Sequence, residues 1–95
     1  MEFEWDSNKS AINLAKHGIS FEDAKEAFYD EFALLEYDES HSAEEERFVL
    51  MGRIKNEIVI VVSHCIRGGN AIRIISTRKA TSKEKEKYIA RRFWK

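Results

Sequence analysis

The chain has one cysteine, no proline and no long apolar run among its 95 residues. A lone Cys65 cannot form an internal disulfide, which agrees with a reducing compartment. The longest apolar run, residues 58–62, is far too short to span a membrane, and the acidic opening at residues 1–6 is unlike a signal peptide. We therefore expect a cytoplasmic protein that does not bind membranes.

Motifs for metal ions and nucleotides are also missing. The chain has no HExxH or CxxC motif, and no Walker or dinucleotide glycine-rich loop. His64 and Cys65 are neighbours, so in a strand their side chains would point to opposite faces. We therefore expect no metal site and no cofactor.

Positive charge is scarce in the first half of the chain, and negative charge is scarce in the second. Residues 1–46 hold three Lys or Arg against 14 Asp or Glu, whereas residues 47–95 hold 13 against three. The net charge of −1 hides this asymmetry. Clustered cations attract phosphates, so the pattern indicates a nucleic acid or another charged partner. The alternative is that the two halves interleave in space and neutralise each other.

The N-terminal third predicts a short strand, at residues 3–5, followed by helices. A first helix is predicted from Ser7 or Asn8, either of which can be the N-cap, to Lys16, and Gly18 is placed to end it. The residues predicted to share its apolar face are Ala11, Leu14 and Ala15.

A second helix is predicted from its N-cap Ser20 to about Tyr29. Alternating and apolar segments then predict four strands, at residues 32–37, 47–53, 57–66 and 71–78. Asn and Gly residues between the last three strands can take the positive φ that hairpin turns require. Thr81 and Glu84 form a capping box that opens a final helix running towards Arg92.

This order of elements predicts an α+β fold in one domain, residues 1–95. A mostly antiparallel sheet is expected to pack with N-terminal helices and a C-terminal helix. The apolar run at residues 58–62 indicates a central strand covered on both faces, although a sheet with one partly covered face also fits. A chain of this length can bury one modest core.

Arg78 and Lys79 end a predicted strand directly before the last helix. Free N–H groups at a helix N-terminus attract anions, and a guanidinium can bind two phosphate oxygens while staying charged at any cellular pH. The sequence therefore predicts an anion site here, with Arg78 as the first candidate. The alternative is that Arg78 pairs with a carboxylate of the acidic half.

Short motifs spaced over residues 3–88 together resemble the BrnT toxin family. The matching positions are residues 3–6, Lys9, Asn13, residues 16–24, Glu46, Arg47, Gly52, Arg67, residues 73–76, Arg78, Ala80, Glu84 and Tyr88. The chain departs from the family pattern at Phe48, where Trp is usual, and at Thr77, where Ala is usual. The resemblance implies a RelE-like fold and a bacterial type II toxin–antitoxin toxin, a ribonuclease that halts translation.

The resemblance also implies a protein partner. This would be a BrnA-like antitoxin with a ribbon-helix-helix DNA-binding part, which blocks the toxin and represses the operon. Operator DNA would then be bound only through the complex. The alternative from the charge pattern is a non-catalytic module that binds nucleic acid or protein through its basic C-terminal half.

Metal-independent RNA cleavage needs a base for the 2′-hydroxyl, an acid for the leaving oxygen and cations for the phosphorane. Histidine is suited to the proton transfers because its ordinary pKa lies near neutrality. The predicted catalytic residues are His17, Arg67, Arg78, Glu84 and Tyr88. The predicted substrate-binding residues are Lys16, Arg47, Arg73 and Lys79.

Structural roles compete with several of these assignments. A cation such as His17 stabilises a helix C-terminus, and Arg67 can be a solvated turn residue. Glu84 is already explained by the capping box. Tyr88, four residues on, shares its face and can either stack on a base or be half-buried.

The spacing of Arg73 and Arg78 sets a condition on their cooperation. Five residues separate them, so a regular strand would point their side chains to opposite faces, and only a bulge or twist would bring both to one site. Otherwise Arg73 is expected to contact the antitoxin or a carboxylate. Of the other histidines, His64 is predicted to be structural and His41 to be a solvated loop residue.

Overall fold

The computed structural model describes residues 1–93, and these form a five-stranded sheet with helices on both faces. The strands are β1 Glu2–Glu4, β2 Leu34–Tyr37, β3 Phe48–Ile54, β4 Ile58–Arg67 and β5 Ala71–Lys79. The α-helices are α1 Ser7–His17, α2 Phe21–Ala24 and α3 Ser82–Phe93, and 3-10 helices occur at Lys25–Tyr29, Glu39–His41 and Lys55–Glu57. The α+β prediction is confirmed.

The sheet has the strand order β1-β5-β4-β3-β2. β1 pairs with β5 in parallel, and the other neighbours are antiparallel. Ile60 and Val62 of β4 lie in the larger core cluster with α2, whereas Val59 and Val61 lie in a second cluster with Tyr88 of α3. The prediction of a central strand covered on both faces is therefore correct, because alternate side chains of β4 enter separate cores.

Helix α1 begins one residue earlier than its predicted caps. Asp6 is the N-cap, and its Oδ1 atom accepts hydrogen bonds from the N–H groups of Asn8 at 2.8 Å and Lys9 at 3.1 Å. Gly18 ends the helix as predicted, with φ 73° and its N–H donating to the Leu14 carbonyl at 2.8 Å. A Cβ disfavours this left-handed conformation, so glycine is the suitable residue here.

The predicted apolar face of α1 is wrong, because its three residues are exposed. Ala11, Leu14 and Ala15 face outwards, and Leu14 is 48% exposed. The helix instead attaches to the sheet through buried Asn13. Its Nδ2 atom donates to the Thr77 carbonyl at 2.9 Å, and its Oδ1 atom accepts from the Thr77 N–H at 3.1 Å.

This anchor is possible because β1 is short. β1 pairs with β5 only at residues 71–73, so the backbone of Thr77 lies beyond the end of β1. The side-chain amide of Asn13 carries a donor and an acceptor, which are the groups that a neighbouring strand would present. Asn13 therefore replaces a strand at the edge of β5, and α1 is held against the sheet by hydrogen bonds.

The second predicted helix has the predicted N-cap but changes its geometry midway. Ser20 Oγ accepts from the Asp23 N–H at 3.0 Å, and the chain continues after Ala24 as a 3-10 helix. This segment packs against Gly52 of β3. A Cβ at Gly52 would lie 2.8 Å from the Ala27 carbonyl oxygen, so only glycine permits this close approach.

The turns and the last helix follow the predicted chemistry. Asn56 and Gly69 take positive φ, at 61° and 71°, in the two hairpins around β4. Thr81 and Glu84 form the reciprocal capping box of α3, with bonds of 2.8 and 3.2 Å. Within residues 1–93, no helix is long and apolar enough to cross a membrane.

Candidate functional site

A cavity of about 260 Å³ opens on the sheet face that carries α3, near the C-terminus of α1. Its wall consists of His17, Asp38, His41, Val49, Val61, Ser63, Ser76, Thr77 and Arg78. The floor of the cavity consists of residues that are neighbours across β4 and β5, since Val61 pairs with Arg78 and Ser63 pairs with Ser76. We call this the central cavity. It brings together two of the predicted catalytic residues, His17 and Arg78, and two unpredicted ones, Asp38 and His41.

Arg78 is held in place by Glu84. Its two terminal nitrogens donate to the two Glu84 carboxylate oxygens at 2.8 and 3.0 Å. One of them also donates to the Lys79 carbonyl at 3.3 Å. A guanidinium has five N–H groups, so two of the five are left without an acceptor among residues 1–93. Arg78 is therefore oriented by Glu84 yet retains donors for an anion.

Each member of this ion pair stabilises the charged form of the other. Hydrogen bonds from Arg78 outweigh the effect of burial and, together with the Thr81 N–H, lower the pKa of Glu84 to about 2. The Glu84 hydrogen bonds likewise raise the pKa of Arg78. Glu84 is thus a carboxylate at neutral pH and an unsuitable proton donor there. Its geometry makes it the residue that positions Arg78 and caps α3.

His17 reaches the central cavity because of the Asn13 anchor. Asn13 and His17 are four residues apart, so they share one face of α1. Asn13 is bonded to Thr77, which directly precedes Arg78 in the chain. The hydrogen bonds that fix the helix therefore also direct its last residue towards the cavity.

Asp38 and His41 are hydrogen-bonded to each other in the wall of the central cavity. The His41 Nδ1 atom lies 3.1 Å from Asp38 Oδ2, and Ser40 Oγ donates to Asp38 Oδ1 at 3.0 Å. Burial raises the pKa of Asp38, but the hydrogen bonds from His41 and Ser40 outweigh it, so the net pKa is below the ordinary value. An ionised carboxylate only accepts hydrogen bonds, so Nδ1 carries the proton and Nε2 is free to accept one.

The sequence did not single out this pair. His41 was predicted to be a solvated loop residue, and its side chain is indeed exposed, but it also lines the central cavity. The signal available in the sequence was the spacing of Asp38 and His41, three residues apart in a short helical turn. That spacing is common in surface loops. It indicates a functional pair only in combination with the position of the loop beside Arg78.

Arg67 does not lie in the central cavity. It is six residues along β4 from Val61, the partner of Arg78, so the two backbones are about 20 Å apart. Arg67 instead lines a neighbouring cavity of about 520 Å³ with His41, Ala43, Glu44, Glu45 and Arg47. Its guanidinium lies 3.4 Å from a Glu45 carboxylate oxygen. The predicted grouping of His17, Arg67 and Arg78 in one site is therefore not what this structure shows.

A β-bulge changes the expected relation between Arg73 and Arg78. Ser63 pairs with Ser76 but His64 pairs with Ile74, which leaves Ile75 as an extra residue on β5. The bulge turns Arg73 to the same face as Arg78. Arg73 is nevertheless bonded to Glu4 of β1 at 3.1 Å and lies outside the central cavity, so the carboxylate alternative is correct.

Tyr88 is not placed to contact a substrate. It is 2% exposed, and its hydroxyl donates to Asp30 Oδ2 at 2.5 Å on the core side of α3. Burial and the Asp30 carboxylate raise the pKa of Tyr88 to about 12. The predicted catalytic role conflicts with this position, because a buried ring can neither stack on a base nor donate to a phosphate.

The remaining predicted residues have peripheral positions. Lys16 lines a cavity of about 230 Å³ that shares His17 and Ser76 with the central one. Lys79 is exposed at the end of β5. His64 is structural as predicted, since it is buried against Phe28 and its Nδ1 atom lies 3.2 Å from the Val62 carbonyl oxygen. Burial lowers the pKa of His64.

Among residues 1–93, no three His, Cys, Asp or Glu side chains are grouped so that they could hold a metal ion together. Cys65 is a free, buried thiol in β4. The central cavity offers two imidazoles, hydroxyl groups, one carboxylate and one guanidinium.

Comparisons with known proteins define the class to which this fold and cavity belong. Residues 5–84 match the family model described as "Ribonuclease toxin, BrnT, of type II toxin-antitoxin system". The chain thus belongs to the BrnT family of ribonuclease toxins, and a type II system implies an antitoxin partner.

A solved structure agrees with the family assignment. The crystal structure of the Brucella abortus ribonuclease toxin BrnT has 30% sequence identity to this chain and a TM-score of 0.66. The similarity covers 86% of this chain and 99% of that chain. No protein with a curated description matches the chain.

Proposed function

We propose that this BrnT-family protein is a metal-independent endoribonuclease whose active site is the central cavity. The observation that carries the proposal is the convergence of two imidazoles, from His17 and His41, with the guanidinium of Arg78 on one cavity. These groups supply the base, the acid and the cation that cleavage of an RNA phosphodiester requires.

In the proposed reaction, His41 is the base. Asp38 holds the proton on Nδ1, so Nε2 takes the proton from a ribose 2′-hydroxyl. The 2′-oxygen then bonds to the neighbouring phosphorus, and the bond from phosphorus to the 5′-oxygen breaks. The products are a 2′,3′-cyclic phosphate and a free 5′-hydroxyl, so no external reactant is consumed.

His17 and Arg78 act on the other side of the phosphate in this scheme. His17, protonated, gives its proton to the departing 5′-oxygen. The two free N–H groups of Arg78 donate to the non-bridging oxygens, where negative charge gathers in the transition state. Glu84 acts as a positioning residue, since it restricts the guanidinium to one orientation.

We further propose that the antitoxin is BrnA-like, with a ribbon-helix-helix part, and that operator DNA is bound only by the complex. The family assignment supports this partner because type II toxins are neutralised by a protein. Cleavage of RNA in the cytoplasm would inhibit translation. A small ribbon-helix-helix coding sequence beside the gene is the observation that tests the partner.

The test of the catalytic proposal is cleavage of a long, mixed-sequence RNA by the purified protein in excess chelator. Arg78→Ala should abolish most cleavage while the protein stays folded. Arg53→Ala is the matched control, because Arg53 is also bonded to a glutamate, Glu57, at 3.0 Å but lies outside the central cavity. A wild-type protein that binds this RNA without cutting it would favour a non-catalytic binding module instead.

A further inference from the structure

The cavity beside the central one contains two arginines whose cationic heads are only partly neutralised. Arg47 comes from the end of the acidic loop and Arg67 from the end of β4, and both line the same space of about 520 Å³. His41 lines this cavity as well as the central one, so the two spaces are adjacent. We call the second space the arginine cavity.

Two observations favour the binding of an anion in the arginine cavity. The Nε atom of Arg47 is buried and has no hydrogen-bond partner among residues 1–93, so the charge of this guanidinium is incompletely compensated, and a phosphate would contact its other nitrogens. Among residues 1–93, Arg67 has one ion-pair partner, Glu45, at 3.4 Å and a hydrogen bond with Cys65, and its side chain is 50% exposed. A phosphate can accept from both guanidinium groups at once.

We propose that the arginine cavity is a second phosphate subsite, which binds the backbone of single-stranded RNA several nucleotides away from the cleaved bond. This inference rests on the proposed function, because RNA is taken as the substrate. Glu45 occupies the subsite in the free protein, and the phosphate displaces it. Arg67 and Val61, the partner of Arg78, are six residues apart on β4, about 20 Å along the strand, so the two phosphates belong to different nucleotides.

The proposal assigns Arg67 to binding, whereas the central cavity carries the chemistry. Phosphate contacts fix the register of a nucleic acid and make its affinity dependent on salt. A subsite of this kind gives a long RNA an advantage over a very short one. It is also consistent with the position of Arg67, which lies far from Arg78 in a cavity that shares His41 with the central one.

The experiment measures binding of a long, single-stranded, mixed-sequence 2′-O-methyl RNA over a series of salt concentrations. This RNA lacks the 2′-hydroxyl needed for cleavage, so affinity is measured apart from catalysis. Arg67→Ala should weaken binding roughly tenfold and make the slope of log affinity against log salt shallower by about 0.7, as expected for one lost contact to a single strand. Arg47→Ala should act in the same direction.

Lys55→Ala is the matched control for Arg67→Ala. Lys55 precedes β4, at the end of the strand opposite Arg67, and is paired with Asp23 at 3.3 Å. Each substitution therefore removes one cation and frees one carboxylate. If Arg67→Ala and Lys55→Ala change affinity and slope equally, the subsite is refuted and only a general field effect remains.

The role of Glu45 has its own control. Glu45→Gln should tighten RNA binding by about twofold to fivefold, which is the range of an exposed ion pair. Glu46→Gln removes the same charge one residue away, outside the arginine cavity, and should have a smaller effect. Equal effects would overturn the displacement of Glu45 by phosphate.

Failure of this inference and failure of the proposed function are distinguishable. If the protein binds 2′-O-methyl RNA through Arg67 but does not cut unmodified RNA, the subsite is supported and the proposed nuclease function is contradicted. If the protein cuts RNA and Arg67 contributes nothing to binding, the nuclease function is supported and the subsite is contradicted. Thermal unfolding of each variant confirms that it is folded.

Discussion

Glu84 binds both terminal nitrogens of Arg78, at 2.8 and 3.0 Å, and the same carboxylate accepts the Thr81 N–H at 2.8 Å. One side chain thus caps α3 and orients the cation of the candidate site. This double role connects folding with function, because losing the carboxylate frees both the helix N-terminus and the guanidinium.

We expect the stability of the protein to fall at acidic pH partly through Glu84. Its pKa is lowered from 4.5 to about 2 by folding, so its contribution is fully present above 4.5 and is lost as the pH falls towards 2. Glu84→Gln should flatten this part of the pH dependence in urea unfolding. Glu86→Gln, an exposed neighbour on α3, is the control and should leave the wild-type dependence intact.

The Asp38–His41 pair predicts a loss of rate when the carboxylate is replaced. An amide in Asp38→Asn no longer requires the proton to stay on Nδ1, so the proposed base loses its fixed tautomer. RNA cleavage should fall by about 100-fold or more, in the range of general acid–base catalysis. Glu39→Gln, which changes an exposed carboxylate in the same turn, should cleave at the wild-type rate. Equal rates for the two variants would remove His41 from the mechanism.

Asn13 should be one of the most sensitive positions in α1. Asn13→Ala leaves the buried N–H and carbonyl of Thr77 without partners, and we expect a loss of about 3 kcal/mol in the free energy of unfolding. Chemical denaturation measures this change. Asn8→Ala makes the same substitution at an exposed position of the helix and should have little effect. A small effect at Asn13 would show that other contacts hold α1.

The close approach of Gly52 to Ala27 predicts a packing defect on substitution. Gly52→Ala places a Cβ 2.8 Å from a carbonyl oxygen, so the 3-10 helix must move, at a cost of about 1 to 3 kcal/mol. Gly68→Ala is the control, since its Cβ would meet nothing within 4 Å. Thermal unfolding of both variants, compared with the wild type, tests whether this contact is as rigid as the geometry implies.

Tyr88→Phe separates structure from catalysis at a position that the sequence assigned to the active site. Loss of the hydroxyl removes the bond to Asp30, and we expect a destabilisation of about 2 kcal/mol. RNA cleavage by the folded variant should be unchanged, because the hydroxyl is buried away from the cavity. Tyr29→Phe, at a residue 64% exposed, should change neither property. A large loss of cleavage in folded Tyr88→Phe would contradict the structural role.

Much of the fold was predictable because its signals are local. Ser20, Thr81 with Glu84, Gly18 and Asn56 each determine a cap or turn through bonds or dihedral angles within a few residues. The continuous apolar run at residues 58–62 of β4 indicated that both faces of this strand are buried. These features depend on neighbours in the chain, so the sequence alone was sufficient to place the helices and strands within a few residues.

The wrong predictions concerned contacts between segments that are distant in the sequence. The spacing of apolar residues in α1 pointed to the wrong face, because the helix is anchored by a hydrogen-bonding partner, Thr77, 64 residues from Asn13. The bulge at Ile75 sets the sheet face on which the Arg73 side chain lies, and Arg73 forms an ion pair with Glu4. Neither event leaves a local periodic signal.

The sequence by itself determined the charge asymmetry, the caps, the order of elements and the candidacy of Arg78 and His17. Only the tertiary structure decided that these two residues share a cavity, that Asp38 and His41 join them, and that Arg67 lies in a neighbouring space. The physical reason is that a site is defined by distances across strands and loops. Those distances follow from register, a bulge and side-chain hydrogen bonds between distant segments, which no short stretch of sequence specifies.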